Sequence, residues 1–192
     1  MAPRVYFGFD YKDVKSFRAN VVRNHDITKE TGEAGFFHAS IWEDAELHGS
    51  IGVKNLIDRS LENTTVTCIL IGSTTWRRRW VRYEILKSYD TGNRLLGVHI
   101  SGVKDKNQKV FGQGRNPFEY LGFVISHDGK TLIYYEHDGE SWKTYQDLPP
   151  KSTGFETKWC SRGYKLSAWV PCYDWTSQDG FKNFATWVES AK

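Results

Sequence analysis

A chain of 192 residues, 39% hydrophobic and 15% aromatic, suffices for one well-packed domain with at most a small appendage. Its 26 basic and 23 acidic residues leave a net charge of +3, a balance that does not by itself point to a nucleic-acid partner. An odd count of three cysteines (Cys68, Cys160, Cys172) argues against a disulfide framework, no Cys-x-x-Cys or paired-histidine spacing suggests a metal, and neither a signal-peptide core nor a membrane-length apolar run is present, so the expectation is a soluble cytoplasmic protein in a reducing compartment.

In chain order, residues 4–9 (RVYFGF) read as an apolar, aromatic strand followed by a turn at Asp10-Tyr11-Lys12-Asp13. Asp13 is placed to cap a helix over residues 14–25, because Val14, Phe17, Val21 and Val22 recur at helical spacing. Residues 29–35 are polar and glycine-containing and read as a loop. Residues 36–41 read as a second short strand, with Trp42-Glu43-Asp44-Ala45 as an acidic, aromatic loop at its carboxyl end. Ser50 is placed to cap a helix over residues 51–61 that turns Val53, Leu56, Ile57 and Leu61 inward. Residues 66–71 form a third strand, a helix bearing Trp80 and Glu84 follows, and residues 94–100 (RLLGVHI) form a fourth strand. Four alternations of strand and helix in the first hundred residues predict a parallel sheet with helices on both faces.

The texture changes after Ser101. Residues 104–116 form a long polar loop. Two Asp-Gly turns, at residues 127–129 and 137–139, then separate FVIS, TLIYYE and SWKTYQ, which predicts a three-stranded antiparallel meander within residues 117–147. Pro149-Pro150 opens a connector, residues 166–172 read as a last strand, and residues 179–191 close the chain as an amphipathic helix with Phe181, Phe184, Trp187 and Val188 on one side. The expected organisation is one α/β domain over residues 1–192, with core βα repeats in 1–101, the meander in 117–147, and the last strand and closing helix in 164–191. Eight tryptophans are many for this length, and they must line a pocket, an interface or a large core.

Residues 67–86, TCILIGSTTWRRRWVRYEIL, organise the rest. An apolar, β-branched run is typical of a strand buried on both faces of a parallel sheet. Gly72 ends it, and Ser73, Thr74 and Thr75 offer hydroxyls for a helix cap. Trp80 and Glu84 are four apart and share a helix face. The turn lies at the carboxyl end of the strand, where open α/β sheets bind ligands. Two readings of Glu84 stay open on the residues alone. It pairs with Arg77, Arg78 or Arg82 on a solvated face, or it is an acid facing the crevice beside an aromatic ring.

Other signals dissolve on inspection. Gly129-Lys130-Thr131 resembles the end of a phosphate-binding loop, but the pattern needs glycine where Val124 stands. Gly112-Gln113-Gly114 begins like a dinucleotide fingerprint, but Pro117 stands at its last position. Arg77-Arg78-Arg79 between Trp76 and Trp80 reads as a phosphate site or as a charged helix edge. No Ser-His-Asp or Cys-His arrangement is legible among the six scattered histidines.

With these residues in hand, the chain resembles TIR-like domains, and more closely the ThsB group of the bacterial Thoeris anti-phage system. The resemblance spans nearly the whole length and rests on RVYFGFDYKDV, FRANVVRNHDIT, ASIWEDAE, TCILIGSTTWRRRWVRYEI, LLGVHI, GRNPFEYLGF, YDW and GFKNFATWV. Its hallmark is Trp-x-x-x-Glu, met by Trp80 and Glu84 in the expected strand-turn-helix position. The resemblance implies a flavodoxin-like sheet and an enzyme that takes NAD+ as substrate, without a separate cofactor or metal. Glu84 would be its catalytic carboxylate. The enzyme would cleave the nicotinamide–ribose bond and cyclise ADP-ribose into an isomer that activates the partner effector ThsA. A phage-derived trigger and self-association are further implied partners, with nucleic acid and membrane not expected.

That bond cleavage builds oxocarbenium-like charge, and because nicotinamide leaves as a neutral group one carboxylate suffices in a water-poor site. Phe9, Trp42 and Trp80 are then candidate aromatic walls, Phe9 and Trp80 equally readable as core. Asp10 and Asp44 are candidate ribose contacts, more readily read as turn caps. Asn116, in GRNPF, is a candidate substrate contact, equally readable as a turn residue. The chain departs from many TIR domains in carrying Gly8 and Asp10-Tyr11-Lys12 after the first strand, and in the richness of its arginine run. The alternatives to an enzyme are a non-catalytic TIR assembly module and a nucleic-acid binder using Arg77 to Arg79.

Overall fold

The computed structural model describes residues 3–25 and 39–192. Its elements in chain order are β1 (Val5–Phe9), α1 (Tyr11–Lys15), α2 (Arg18–Arg23), α3 (Ala39–Leu47), α4 (Gly49–Leu61), β2 (Val66–Ile71), α5 (Arg79–Thr91) and β3 (Arg94–His99). They are followed by β4 (Leu121–Ile125), β5 (Thr131–His137), β6 (Trp142–Thr144), β7 (Lys151–Ser152), β8 (Gly163–Lys165), β9 (Cys172–Asp174) and α6 (Gly180–Glu189).

Every residue of β2 is buried, so this run takes an inner place in the first sheet. That sheet has the order β1-β2-β3-β9, all parallel, with Phe7 beside Cys68, Cys68 beside Leu96, and Gly97 beside Cys172. Strand alternation sends Val5, Phe7, Cys68, Leu70, Leu96 and Val98 to one face, where they pack with Ala19 and Val22 of α2 and Phe184, Trp187 and Val188 of α6. Tyr6, Ile69, Ile71 and Leu95 go to the other face, against Ile57 of α4 and Val81, Ile85 and Leu86 of α5. Helices therefore cover both faces, as the alternating pattern predicts.

The meander also forms. β4 to β6 pair antiparallel in the order β6-β5-β4-β8, with β7 added against β5. The Asp-Gly turns supply the left-handed residues that such hairpins need, Gly129 at φ +72° and Gly139 at φ +114°. Phe123, Leu132 and Tyr134 of this second sheet belong to the same apolar cluster as α5, so the meander packs against the helix that carries Glu84.

Several local expectations are corrected, the Ser50 cap among them, since α4 already begins at Gly49 and Ser50 lies inside it. The helix over residues 14–25 is two short helices, α1 and α2, because Phe17 between them is left-handed at φ +69°. Asp13 lies within α1. The side chain that caps that helix is Asp10, whose Oδ1 accepts the Lys12 amide at 3.1 Å. A left-handed non-glycine residue costs on the order of 1 kcal/mol, and Phe17 is 55% exposed. Phe17→Gly is therefore expected to raise stability by about 1 kcal/mol, a shift of about 2–4 °C in Tm, measured by thermal unfolding.

Of the strand expected over residues 36–41, residues 36–38 lie outside the described residues, and Ala39 to Ile41 are helical. Trp42 to Ala45 are likewise helix, not loop. The Trp42 indole donates to Glu46 Oε1 one turn on at 3.0 Å, and Ala45 packs into the core. The strand expected over residues 166–172 begins only at Cys172, since Leu166–Ala168 wind into a 3-10 turn and Pro171 lacks an amide for the ladder, although its carbonyl accepts from the Gly97 amide at 2.9 Å. Finally, a 3-10 turn over Thr75–Arg77 precedes α5, and Thr75 Oγ1 accepts from the Gly72 amide at 2.9 Å instead of capping the helix. In α6, Phe184, Trp187 and Val188 face inward as expected, but Phe181 is 68% exposed. No helix among the described residues is long and apolar enough to cross a membrane.

Candidate active site

The carboxyl edge of the parallel sheet gathers Asp10 after β1, Gly72 after β2 and His99 at the end of β3. Asp10 is buried and accepts from Thr74 Oγ1 at 2.7 Å and from Arg78 Nε. Burial would push its carboxyl up, but the hydrogen bonds from Thr74, the Lys12 amide and Arg78 outweigh it and hold the group below the ordinary carboxylate value. Asp13 behaves oppositely. Burial and the neighbouring Asp10 charge raise it to about 6 despite Arg18 and Arg78. Glycines let these parts converge. A Cβ at position 72 would lie 2.1 Å from Asp13 Oδ2, and one at position 114 would lie 1.9 Å from the Gly72 carbonyl oxygen.

Glu84 lies on α5, 5% exposed, on the face of the sheet that bears Tyr6 and Gly8. Its Oε1 accepts a 2.7 Å hydrogen bond from the Tyr6 hydroxyl. Its Oε2 is buried without a hydrogen-bond partner. That oxygen sits against the Gly8 backbone, where a Cβ would be only 2.6 Å away. Burial raises the carboxyl from 4.5 to about 8, and the Tyr6 bond offsets only part of that effect. Tyr6 is itself driven well above the ordinary tyrosine value by burial and the adjacent Glu84.

Arg78, Arg79 and Arg82 serve the fold around Glu84 without touching it. Arg78 pairs with Asp10, Arg79 forms two 2.9 Å bonds to the Asp147 carboxylate, and Arg82 donates to Glu136 Oε2 at 2.6 Å. Pairing of Glu84 with Arg78 or Arg82 is thereby overturned, since other acids take those guanidinium groups. Two further bonds fix α5: Tyr83 donates to Asp58 at 2.9 Å, and Tyr134 donates to Asp90 at 2.7 Å.

The remaining predicted residues are dispersed. Trp80 is half-buried one turn before Glu84, with the Arg79 guanidinium 4.7 Å from its ring, and packs on the same core cluster. Trp42 packs on that cluster from α3. Phe9 packs on the opposite face, so the sheet stands between it and Glu84. Asp44 is exposed on α3, with its carbonyl accepting from His48 at 2.9 Å. Asn116 caps the 3-10 turn Pro117–Tyr120 by accepting the Phe118 amide at 2.9 Å. Sequence reasoning missed Tyr6 and Gly8. Their signal was available: in a strand they are two apart, share a face, and pair a phenol with a missing side chain. Two clefts, one lined by Tyr134, Tyr145 and Pro150 and one by Val21, Trp175 and Phe181, contain none of the predicted site residues. Among the described residues no three His, Cys, Asp or Glu side chains converge as a metal would require.

The family model described as the Thoeris protein ThsB, TIR-like domain, matches residues 6–105. A protein of Bacillus cereus (strain MSX-D12), named as a candidate cyclic ADP-D-ribose synthase, ThsB1, is 49% identical over 191 residues, covering 98% of this chain and 100% of that one. The matched segment contains Tyr6, Gly8, Asp10 and Glu84, and so the chain belongs to the family of ThsB TIR-like domain proteins.

Proposed function

We propose that the protein cleaves NAD+ at the nicotinamide–ribose bond and joins the freed ribose carbon to another group of the same ADP-ribose, yielding a cyclic isomer. The observation that carries this reading is Glu84: a carboxyl group 5% exposed, with one oxygen held by Tyr6 and the other unpartnered. An unpartnered buried oxygen is costly. The cost is recovered when a cation arrives, and the reaction supplies one twice. The pyridinium ring of NAD+ is positive, and the ribose carbon becomes oxocarbenium-like as the bond breaks. In a site that excludes water, one carboxylate stabilises that charge strongly. Nicotinamide departs neutral and needs no acid. The relative named for cyclic ADP-D-ribose synthesis supports cyclisation over plain hydrolysis. In this reading the product is a messenger for a ThsA effector, and a phage component or self-association turns the enzyme on.

The test incubates NAD+ with purified protein, and with lysate of phage-infected cells that express it. Free nicotinamide and a product one water lighter than ADP-ribose are expected. Equal nicotinamide from a Glu84→Gln variant in both settings would leave a non-catalytic assembly module as the surviving reading.

A further inference from the structure

We propose that Tyr6 is a positioning residue of the reaction: its hydroxyl holds Glu84 Oε1, so that Oε2 is the oxygen presented to the ribose carbon. This rests on the reading of Glu84 as the carboxylate of an NAD+-cleaving site. The two residues are 78 positions apart, and the contact depends on the β1–α5 packing. Tyr6 is fully buried as the second residue of β1, so its ring does not swing away. Gly8, two residues on and on the same face, leaves room for Oε2 over the strand. A carboxyl group gripped at one oxygen and unpartnered at the other has a single orientation, and rate depends steeply on such orientation.

The surroundings leave Tyr6 as the group with this grip. From β2, Ile69 contributes an apolar tip near Gly8. From α4, Asp58 is bound by Tyr83 and acts electrostatically on Tyr6. On α5 itself, Arg82 is turned to Glu136. Hydrogen bonding by Tyr6 favours the ionised carboxyl, so its removal favours the protonated one.

The experiment compares wild type, Tyr6→Phe and protein carrying 3-fluorotyrosine at position 6, a more acidic phenol of nearly the same shape. The Glu84 carboxyl band is titrated by infrared difference against Glu84→Gln, and nicotinamide release is followed across pH. Tyr6→Phe is expected to move the carboxyl midpoint up by about one pH unit and lower kcat about tenfold, with KM nearly unchanged. The fluorinated protein, which keeps the fold, is expected to move the midpoint the other way. Unchanged midpoints in both variants, or a loss confined to KM, would overturn the proposal. A wild type that releases no nicotinamide even in lysate of phage-infected cells would sink the enzymatic reading alone, because the infrared titration reads the hydroxyl's hold on Glu84 without turnover.

Discussion

Glu84→Gln is expected to reduce nicotinamide release by about a thousandfold while preserving the fold. The amide has the shape of the carboxyl, and its oxygen still accepts the Tyr6 hydroxyl. It lacks the negative charge that the developing ribose cation requires. The same substitution carries a signature in stability. Burial raises the folded-state pKa of Glu84 from 4.5 to about 8. Between those values the folded protein keeps a proton that the unfolded chain releases. The contribution is therefore fully present below pH 4.5 and is lost as the pH rises through about 8. Glutamine has no such slope. The difference in unfolding free energy between variant and wild type should shift in the variant's favour by on the order of 4 kcal/mol across that window, read from urea unfolding at its two ends. In the wild type, kcat/KM should rise as the pH passes through about 8, since the free enzyme must lose this proton before the carboxylate can act. Parallel stability profiles would show that Glu84 does not titrate as a buried acid.

The second large effect is expected from Gly8→Ala. The new methyl would lie 2.6 Å from Glu84 Oε2 and 2.7 Å from Ile69 Cδ1. Ile69 can yield by moving its tip. Glu84 is tethered at Oε1 and must lose either its Tyr6 bond or its place. We expect about a hundredfold fall in rate and a stability loss of about 1–3 kcal/mol. Gly97→Ala provides the control. Its methyl would crowd Cys172 Sγ at 2.8 Å, Ile71 Cδ1 at 2.8 Å and Phe118 at 2.9 Å, within the same sheet and with no contact to Glu84. It should lose comparable stability and retain most of the rate. If Gly97→Ala slows the reaction as much as Gly8→Ala does, general loosening of the sheet explains both results, and the notch at Gly8 has no special part.

How much of this was legible depended on the range of the forces involved. The run Val66–Ile71 announced β2 because full burial on both faces leaves an uninterrupted apolar stretch. The Asp-Gly turns announced the meander because they encode backbone handedness within two residues. The break at Phe17 was invisible: one left-handed residue does not disturb the spacing of Val14, Val21 and Val22. Trp42 to Ala45 looked like a loop because acid and aromatic residues cluster there, and the helical Trp42–Glu46 contact became apparent only in three dimensions. Asp10 and Asn116 each had two readings, and the structure shows both capping backbone amides. Arg78, Arg79 and Arg82 had no legible partners, because Asp10, Asp147 and Glu136 lie far away in the chain. Glu84 stood out through its motif, but the Tyr6 hydroxyl and the Gly8 gap that shape its surroundings belong to a strand 78 residues earlier.

The bonds from α5 to the second sheet and to the segment joining its strands β6 and β7 sit at Arg79, Arg82 and Asp90, strung along about three helical turns. Anchors spread over that length resist rolling about the long axis as well as sliding. Helix and meander turn together as one crank, so α5 cannot rotate by itself to swing Glu84 outward.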